Sequence, residues 1–135
     1  MRRVHKNQIQ ISVHSIIVLL FLVSTSCMHS QQNSNAIAIV DITTIQEKVI
    51  GKNVQFVDIR TPKEYGDGYI DDAVNISISD KEKFITLIEK LDKEKPIYIY
   101  CYSGWRSHRA AKLLASIGFK EVYDFKGGYK AWIAY

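Results

Sequence analysis

The chemistry starts at "CYSGWRS", residues 101 to 107. Cys101 closes the apolar run "KPIYIY", Gly104 and Arg106 follow in the same stretch, and the helix-like "HRAAKLLASIGF" comes next. Six residues, Cys101 to Arg106, link a buried strand to a helix expected to start near Ser107. If they wrap around the sulfur, the backbone N–H groups from Tyr102 to Arg106 converge on it. Gly104 allows the curl where a side chain would clash, and the helix adds the positive end of its dipole. Such a nest of amides binds anions and stabilises a thiolate without a histidine partner. The opposing reading is a small hydrophobe that ends a strand. Strand, cysteine, glycine-containing loop, arginine and helix occur together here, and that favours the reactive thiol.

The elements around this loop must place it. "IAIVDI" reads as a strand, and "TTIQEKVIG" as a short helix with Thr44 and Glu47 spaced as a capping box. "VQFVDI", residues 54 to 59, is a buried strand rich in β-branched and aromatic residues. In "TPKEY", Thr61 suits a helix cap, Pro62 the first helical position and Glu64 the reciprocal partner. "AVNISI", 73 to 78, is the next strand; "SDKEKFITLIEKL" is an amphipathic helix with Ser79 and Glu82 as a box. Its Phe84, Leu87, Ile88 and Leu91 share one face. "PIYIY" has the continuous apolar character of a strand buried on both faces. In the following helix Ala110, Leu113, Leu114 and Ile117 share a face, Gly118 suits a left-handed end, and Phe119 folds back. "EVYDF" is a last strand, "KGG" a turn and "YKAWIAY" a final helical segment. Alternating strands and helices imply an α/β domain over 37–135, with a mostly parallel sheet and right-handed crossovers. Such sheets bind ligands at the carboxyl ends of their strands, where the loops here begin with Asp58 and Cys101.

The first 26 residues read as something else. "MRRVHKNQ" is basic, "SIIVLLFLV" is apolar, and the small residues "STS" lead into Cys27. That order is the pattern of an export signal, and the unbroken run Ile16 to Val23 is too short to span a bilayer as a helix. The segment resembles a bacterial lipoprotein signal, which implies lipidation of Cys27 and attachment to a membrane on the periplasmic or cell-surface side. Ser24 stands where such signals usually carry leucine. An ordinary cleaved signal and an uncleaved anchor are the alternatives. Residues 27–36, including "MHSQQNSNA", form a polar tether.

Removing the leader takes 3 of the 18 Lys and Arg and none of the 14 acids, so the net charge falls from +4 to +1. No basic stripe survives, which argues against a nucleic-acid partner. Cys27 and Cys101 are the only cysteines; with Cys27 lipidated, no disulfide partner remains for Cys101. One cysteine and four scattered histidines build no metal cluster, and no cofactor is expected.

Two blocks carry a family resemblance. "VDIRTPKEYGDGYIDDAVNIS" resembles the first signature of the rhodanese-like family, the single-domain sulfurtransferases. "PIYIYCYSGWRSHRAAKLLASIGFKEVYDFKGGYKAW" is similar to that family's active-site and C-terminal signature, and the likeness spans about residues 37 to 133. It implies a central, mostly parallel sheet with helices on both faces. It also implies that Cys101 takes a sulfane sulfur from a donor such as thiosulfate or a persulfide. The sulfur is then held as a Cys101 persulfide and passed to a thiophilic acceptor, such as a thiol or protein thiol. Tyr102, Ser103, Gly104, Trp105, Arg106 and Ser107 would cradle it, as covalent catalysis in a preorganised electrostatic site requires. Related phosphatases and arsenate reductases keep five residues between cysteine and arginine. Here there are four, Tyr102 to Trp105, which argues for the narrower sulfur site.

Other residues have two readings each. Asp58 and Arg60 stand at a candidate site mouth, or form an ion pair or capping network with Glu64 that braces the loop; the second is favoured. Arg106 either holds an anionic donor or anchors the loop through backbone carbonyls. Ser103 and Ser107 are candidate hydroxyl donors to the sulfur, with Ser107 equally suited to capping. His108 reads as a surface residue rather than a base. "NIS" at 75–77 matches a glycosylation sequon but lies in a strand, so Asn75 reads as structural. Tyr102 replaces a basic residue common in the family, Tyr69 a histidine, and Asp71-Asp72 a Pro-Gly turn. These departures make the entrance more aromatic and acidic, and turn the reading away from thiosulfate as the physiological donor. The rival reading is a non-catalytic sulfur-carrier or protein-docking module of the same family.

Overall fold

The computed structural model describes residues 36–135; the leader, Cys27 and all but the last residue of the tether lie outside the described residues. The elements alternate: β1 (Ile37–Val40), α1 (Ile42–Lys48), β2 (Gln55–Asp58), α2 (Pro62–Gly66), β3 (Val74–Asn75), α3 (Lys81–Ile88), β4 (Ile97–Tyr100), α4 (Trp105–Ser116), β5 (Val122–Phe125) and α5 (Gly128–Ile133). The strands form one sheet in the order β1-β5-β4-β2-β3, and every pairing is parallel. β4 lies at the centre and all four of its residues are buried, as expected when helices cover both faces.

Strand alternation sorts the core into two halves. Ile97, Ile99 and Cys101 face Phe84 and Ile88 of α3 and Ala110, Ala111 and Leu114 of α4. Tyr98 and Tyr100 face Ile45 of α1, together with Phe56, Ile70 and Phe125, with Ala131 and Trp132 of α5 packed alongside. The same alternation carries Cys101 into the α3/α4 half, directly below the head of α4.

Local signals place most element ends. Thr61 and Glu64 form a reciprocal capping box with Pro62 in the first turn, and Gly118 ends α4 with φ 103° while Phe119 folds back and donates its N–H to Leu114 O. Two expected caps are corrected. Asp41, not Thr44, caps α1, accepting from Thr44 N at 2.9 Å; Asp80, not Ser79, caps α3, accepting from Lys83 N at 3.0 Å. α4 begins at Trp105, two residues earlier than expected, with Gly104 as its cap. β3 is shorter than "AVNISI", although Ile76 N–H and Ile78 N–H still donate to Asp58 O and Ile59 O beyond it; the Asn75 side-chain amide donates to the Asp58 and Arg60 carbonyls at 2.9 Å each.

Where β2 ends, Asp58 and Arg60 form a buried ion pair, with side chains 0% and 2% exposed. Arg60 Nε donates to both Asp58 oxygens (3.0 and 2.9 Å), and Nη2 donates to Asp58 Oδ2 and to Gly68 O, each at 2.6 Å. Its guanidinium stands 4.0 Å from the centre of the Tyr129 ring. The pair therefore ties β2, the Gly68 turn and α5 together. Removing one partner strands a buried charge, whereas removing both does not. Arg60→Met is expected to lower the unfolding free energy by about 3–5 kcal/mol in urea titrations. The Asp58→Asn/Arg60→Met double variant should lose less than the single one; an equal or greater loss would count against this role.

Candidate active site

Cys101 follows β4 at its carboxyl end, is 1% exposed and is a free thiol. Gly104 N–H donates to its Sγ at 3.1 Å. Gly104 takes φ 87°, a left-handed turn that a glycine enters without penalty, and this turn brings the chain back over the sulfur. The next three amides, those of Trp105, Arg106 and Ser107, open α4. By helix geometry they have no acceptor within the helix, and the sulfur lies at this positive end.

The back of the loop is held by the turn between β5 and α5. Tyr129 N–H donates to Cys101 O and Lys130 N–H to Tyr102 O, both at 2.9 Å. A Cβ on Gly104 would lie 2.2 Å from Lys126 O, and one on Gly128 would lie 2.4 Å from Cys101 O. Glycine is required at both positions because the two backbones touch.

A second clamp comes from α2. Arg106 Nη1 and Nη2 donate to the two Glu64 oxygens at 2.8 and 2.6 Å, a bidentate fork with both side chains about one-third exposed. Glu64 also accepts from Thr61 N and Thr61 Oγ1. The Arg106 hydrogen bonds, helped by those from Thr61, hold the Glu64 carboxyl down at about 2. Glu64 is also the first cause that keeps Arg106 above the ordinary arginine value, with a smaller contribution from the Cys101 sulfur.

The remaining sequence-predicted residues sit as follows. Tyr102, Ser103 and Trp105 are exposed on the rim, and Trp105 is 73% exposed. Ser107 is buried and its hydroxyl donates to Gly104 O at 3.1 Å, so it secures the loop from within rather than reaching the sulfur. Arg106 anchors the loop through a carboxylate rather than through backbone carbonyls. Asp58 and Arg60 are not open at a mouth, because their charges are spent on each other; only the edge of Arg60 lines a hollow of about 260 Å³ with Glu64, Asp67, Tyr102 and Tyr129. Glu64 pairs with Arg106 and not with Arg60. Asp71 takes φ 47° in a turn closed by Ala73 N–H on Ile70 O, and its side chain accepts from Gly51 N at 2.8 Å, which ties the Gly51 loop to that turn.

The sequence reading missed Asp124. This β5 carboxylate is 1% exposed, and Oδ2 stands 3.4 Å from Nδ1 of half-exposed His108. Burial pushes its carboxyl up, while Ser107 and His108 hold it down. The one available signal was an acid interrupting the apolar run "VYDF".

A strand that delivers a thiol to the head of a helix, within an all-parallel α/β sheet, defines the class. The model of the rhodanese-like domain matches residues 41–135. The thiosulfate sulfurtransferase GlpE of Coxiella burnetii is 36% identical over 89 residues, covering 66% of this chain and 80% of that protein. GlpE of Shewanella oneidensis is 33% identical over 93 residues, covering 69% and 89%. The crystal structure of a rhodanese-like domain protein from Staphylococcus aureus aligns with a TM-score of 0.61 at 28% identity, over 70% of this chain and 89% of that one. The chain belongs to the rhodanese-like domain family and is a sulfurtransferase of that type.

The Glu64–Arg106 fork carries a pH signature. A carboxyl whose folded pKa is depressed contributes stability that is present above its unfolded value and is lost as pH falls through the folded one. Here that window runs from the ordinary 4.5 down to about 2. Glu64→Gln is expected to cost about 1 kcal/mol at pH 7, a modest figure because solvent screens a pair this exposed. The gap between wild type and variant should close as pH falls from 4.5 toward 2. Urea titrations across that range check it; a gap independent of pH would rule out the ion pair as its source.

Proposed function

We propose that Cys101 carries sulfane sulfur from a donor such as thiosulfate or a persulfide to a thiophilic acceptor. The observation that carries this reading is the Gly104 N–H on the Cys101 sulfur at the head of α4. In the first step the Cys101 thiolate attacks the sulfane sulfur of the donor. An S–S bond forms to Cys101, and the donor's bond to that sulfur breaks with the electron pair leaving on the donor remnant. In the second step an acceptor thiolate attacks the outer sulfur, and Cys101 departs as the thiolate it began as. No net oxidant is needed. The outer sulfur is large, polarisable and anionic, which suits a ring of N–H donors. Tyr102, Ser103, Gly104, Trp105, Arg106 and Ser107 supply those donors.

The exposed aromatics Tyr69, Tyr102 and Trp105 support a second reading, a sulfur-carrier or docking module that loads Cys101 and presents it to a protein. One experiment separates the two. The protein is incubated with thiosulfate or polysulfide, weighed intact, then given an excess of a small thiol. The enzyme reading expects the gain of one sulfur, its release to the thiol with many turnovers, and neither event in Cys101→Ser. Loading without turnover would leave the carrier in front, and no loading from any sulfane donor would sink both.

We also propose that the domain is exported and tethered by a lipid on Cys27. The support is the basic, apolar and small-residue order of residues 1–27. Cys27→Ala is expected to move the protein from the membrane to the soluble fraction of a bacterial host. Retention on the membrane would mean that an uncleaved anchor holds it.

A further inference from the structure

Beside the loop, sharing only Arg106 with the site described so far, a groove of about 490 Å³ runs between the start of α3 and the flank of α4. Ile78, Ser79, Lys81, Arg106, Arg109 and Leu113 line it. Three of these six are cations, and no acid lines the groove. Among the described residues Lys81 and Arg109 take part in no ion pair. The nearby acid Asp80 is engaged as the cap of α3. From Pro96 through Lys120 the chain has four Lys and Arg and no Asp or Glu. The exported domain as a whole is almost neutral, so this concentration of charge is local and not a reflection of general basicity. Ile78 and Leu113 give the groove an apolar wall between its charged ends.

Arg106 joins this groove to the sulfur. Arg106 lines the groove and belongs to the same loop as Cys101, five positions after it. A molecule whose sulfur reaches Cys101 can therefore lay its remaining atoms past Arg106 toward Arg109 and Lys81. Inorganic thiosulfate is too small to use that length. Cyanide has no second group to place there.

We propose that this groove is a binding subsite for a low-molecular-weight organic thiol, or its persulfide, that carries carboxylate groups. The carboxylates pair with Lys81 and Arg109, and the carbon skeleton lies against Ile78 and Leu113. This rests on the sulfur-transfer reading for Cys101 but is tested apart from it. Lys81 and Arg109 steer and hold the substrate and take no part in bond making. Two exposed charge pairs of this kind together make about a tenfold difference in affinity.

The test uses the full chain in two arms. In the binding arm, (methylthio)succinate, which has no thiol to react, is titrated calorimetrically into Cys101→Ser with and without Lys81→Ala/Arg109→Ala. Binding should weaken about tenfold in the triple variant and should also weaken as salt rises. In the turnover arm, mercaptosuccinate and uncharged 2-mercaptoethanol serve as sulfur acceptors. The Lys81→Ala/Arg109→Ala protein should show about a tenfold higher KM for mercaptosuccinate, with KM for 2-mercaptoethanol moving less than about twofold. Unchanged binding of (methylthio)succinate, or an equal rise in both KM values, would overturn the subsite. Loss of all turnover with binding intact would count against the transfer reading and leave the subsite standing.

Discussion

The structure turns on the contact of two stretches of backbone. The loop after β4 and the turn after β5 touch main chain to main chain: Gly104 rests on the Lys126 carbonyl and Gly128 on the Cys101 carbonyl. Two amides of the turn, those of Tyr129 and Lys130, donate into the carbonyls of Cys101 and Tyr102. With these carbonyls turned outward and satisfied, the loop is free to direct N–H groups inward. An inward carbonyl would repel an anionic sulfur; a peptide has only two sides, so fixing one fixes the other. The pair of glycines in "KGG" thus serves the cysteine, although 26 residues separate Gly127 from it.

Two arginine–carboxylate forks flank this contact and do different work. Asp58–Arg60 is buried, tied to a carbonyl and roofed by Tyr129, so its value lies in never being broken. Glu64–Arg106 is partly wet, contributes less to stability, and fixes a permanent cation in the loop that Cys101 opens. Exposure decides between these roles more than bond length does, since the shortest contact is 2.6 Å in both. α2 holds Glu64 and β2 leads into it, so the first sequence block positions a charge for the second.

Much of this was legible in local sequence. The apolar run of β4, the face of α4, the Gly118 end and the Thr61–Glu64 box all depend on residues within one or two turns of one another, and the expected elements appear where these signals lie. The departures have a common cause. Thr44 and Ser79 lost their caps to Asp41 and Asp80, because residues within one turn of each other offer equivalent oxygens and only the path of the incoming chain selects between them. α4 starts at Trp105 because Gly104 turns left-handed against Lys126, a contact made across the sheet. Glu64 was assigned to its neighbours Asp58 and Arg60, yet its partner lies 42 residues away. Asp124 gave only the faint signal of one acid in an apolar strand, since its importance comes from α4 folding over it.

The distribution of positive charge then follows from the chemistry of sulfur. A persulfide needs donors that are numerous, short-ranged and fixed, because its charge sits on a soft atom that a lysine ammonium would hold no better than water does. Backbone amides at the head of α4 meet that need. Long side chains suit the opposite task, meeting carboxylates whose position varies with the rotation of a flexible substrate. Lys81 and Arg109 stand on separate helices and share the groove with Arg106. On the proposed reading, backbone dipoles hold the sulfur, Lys81 and Arg109 hold the molecule that brings or removes it, and Arg106, fixed by Glu64, stands at the boundary between them.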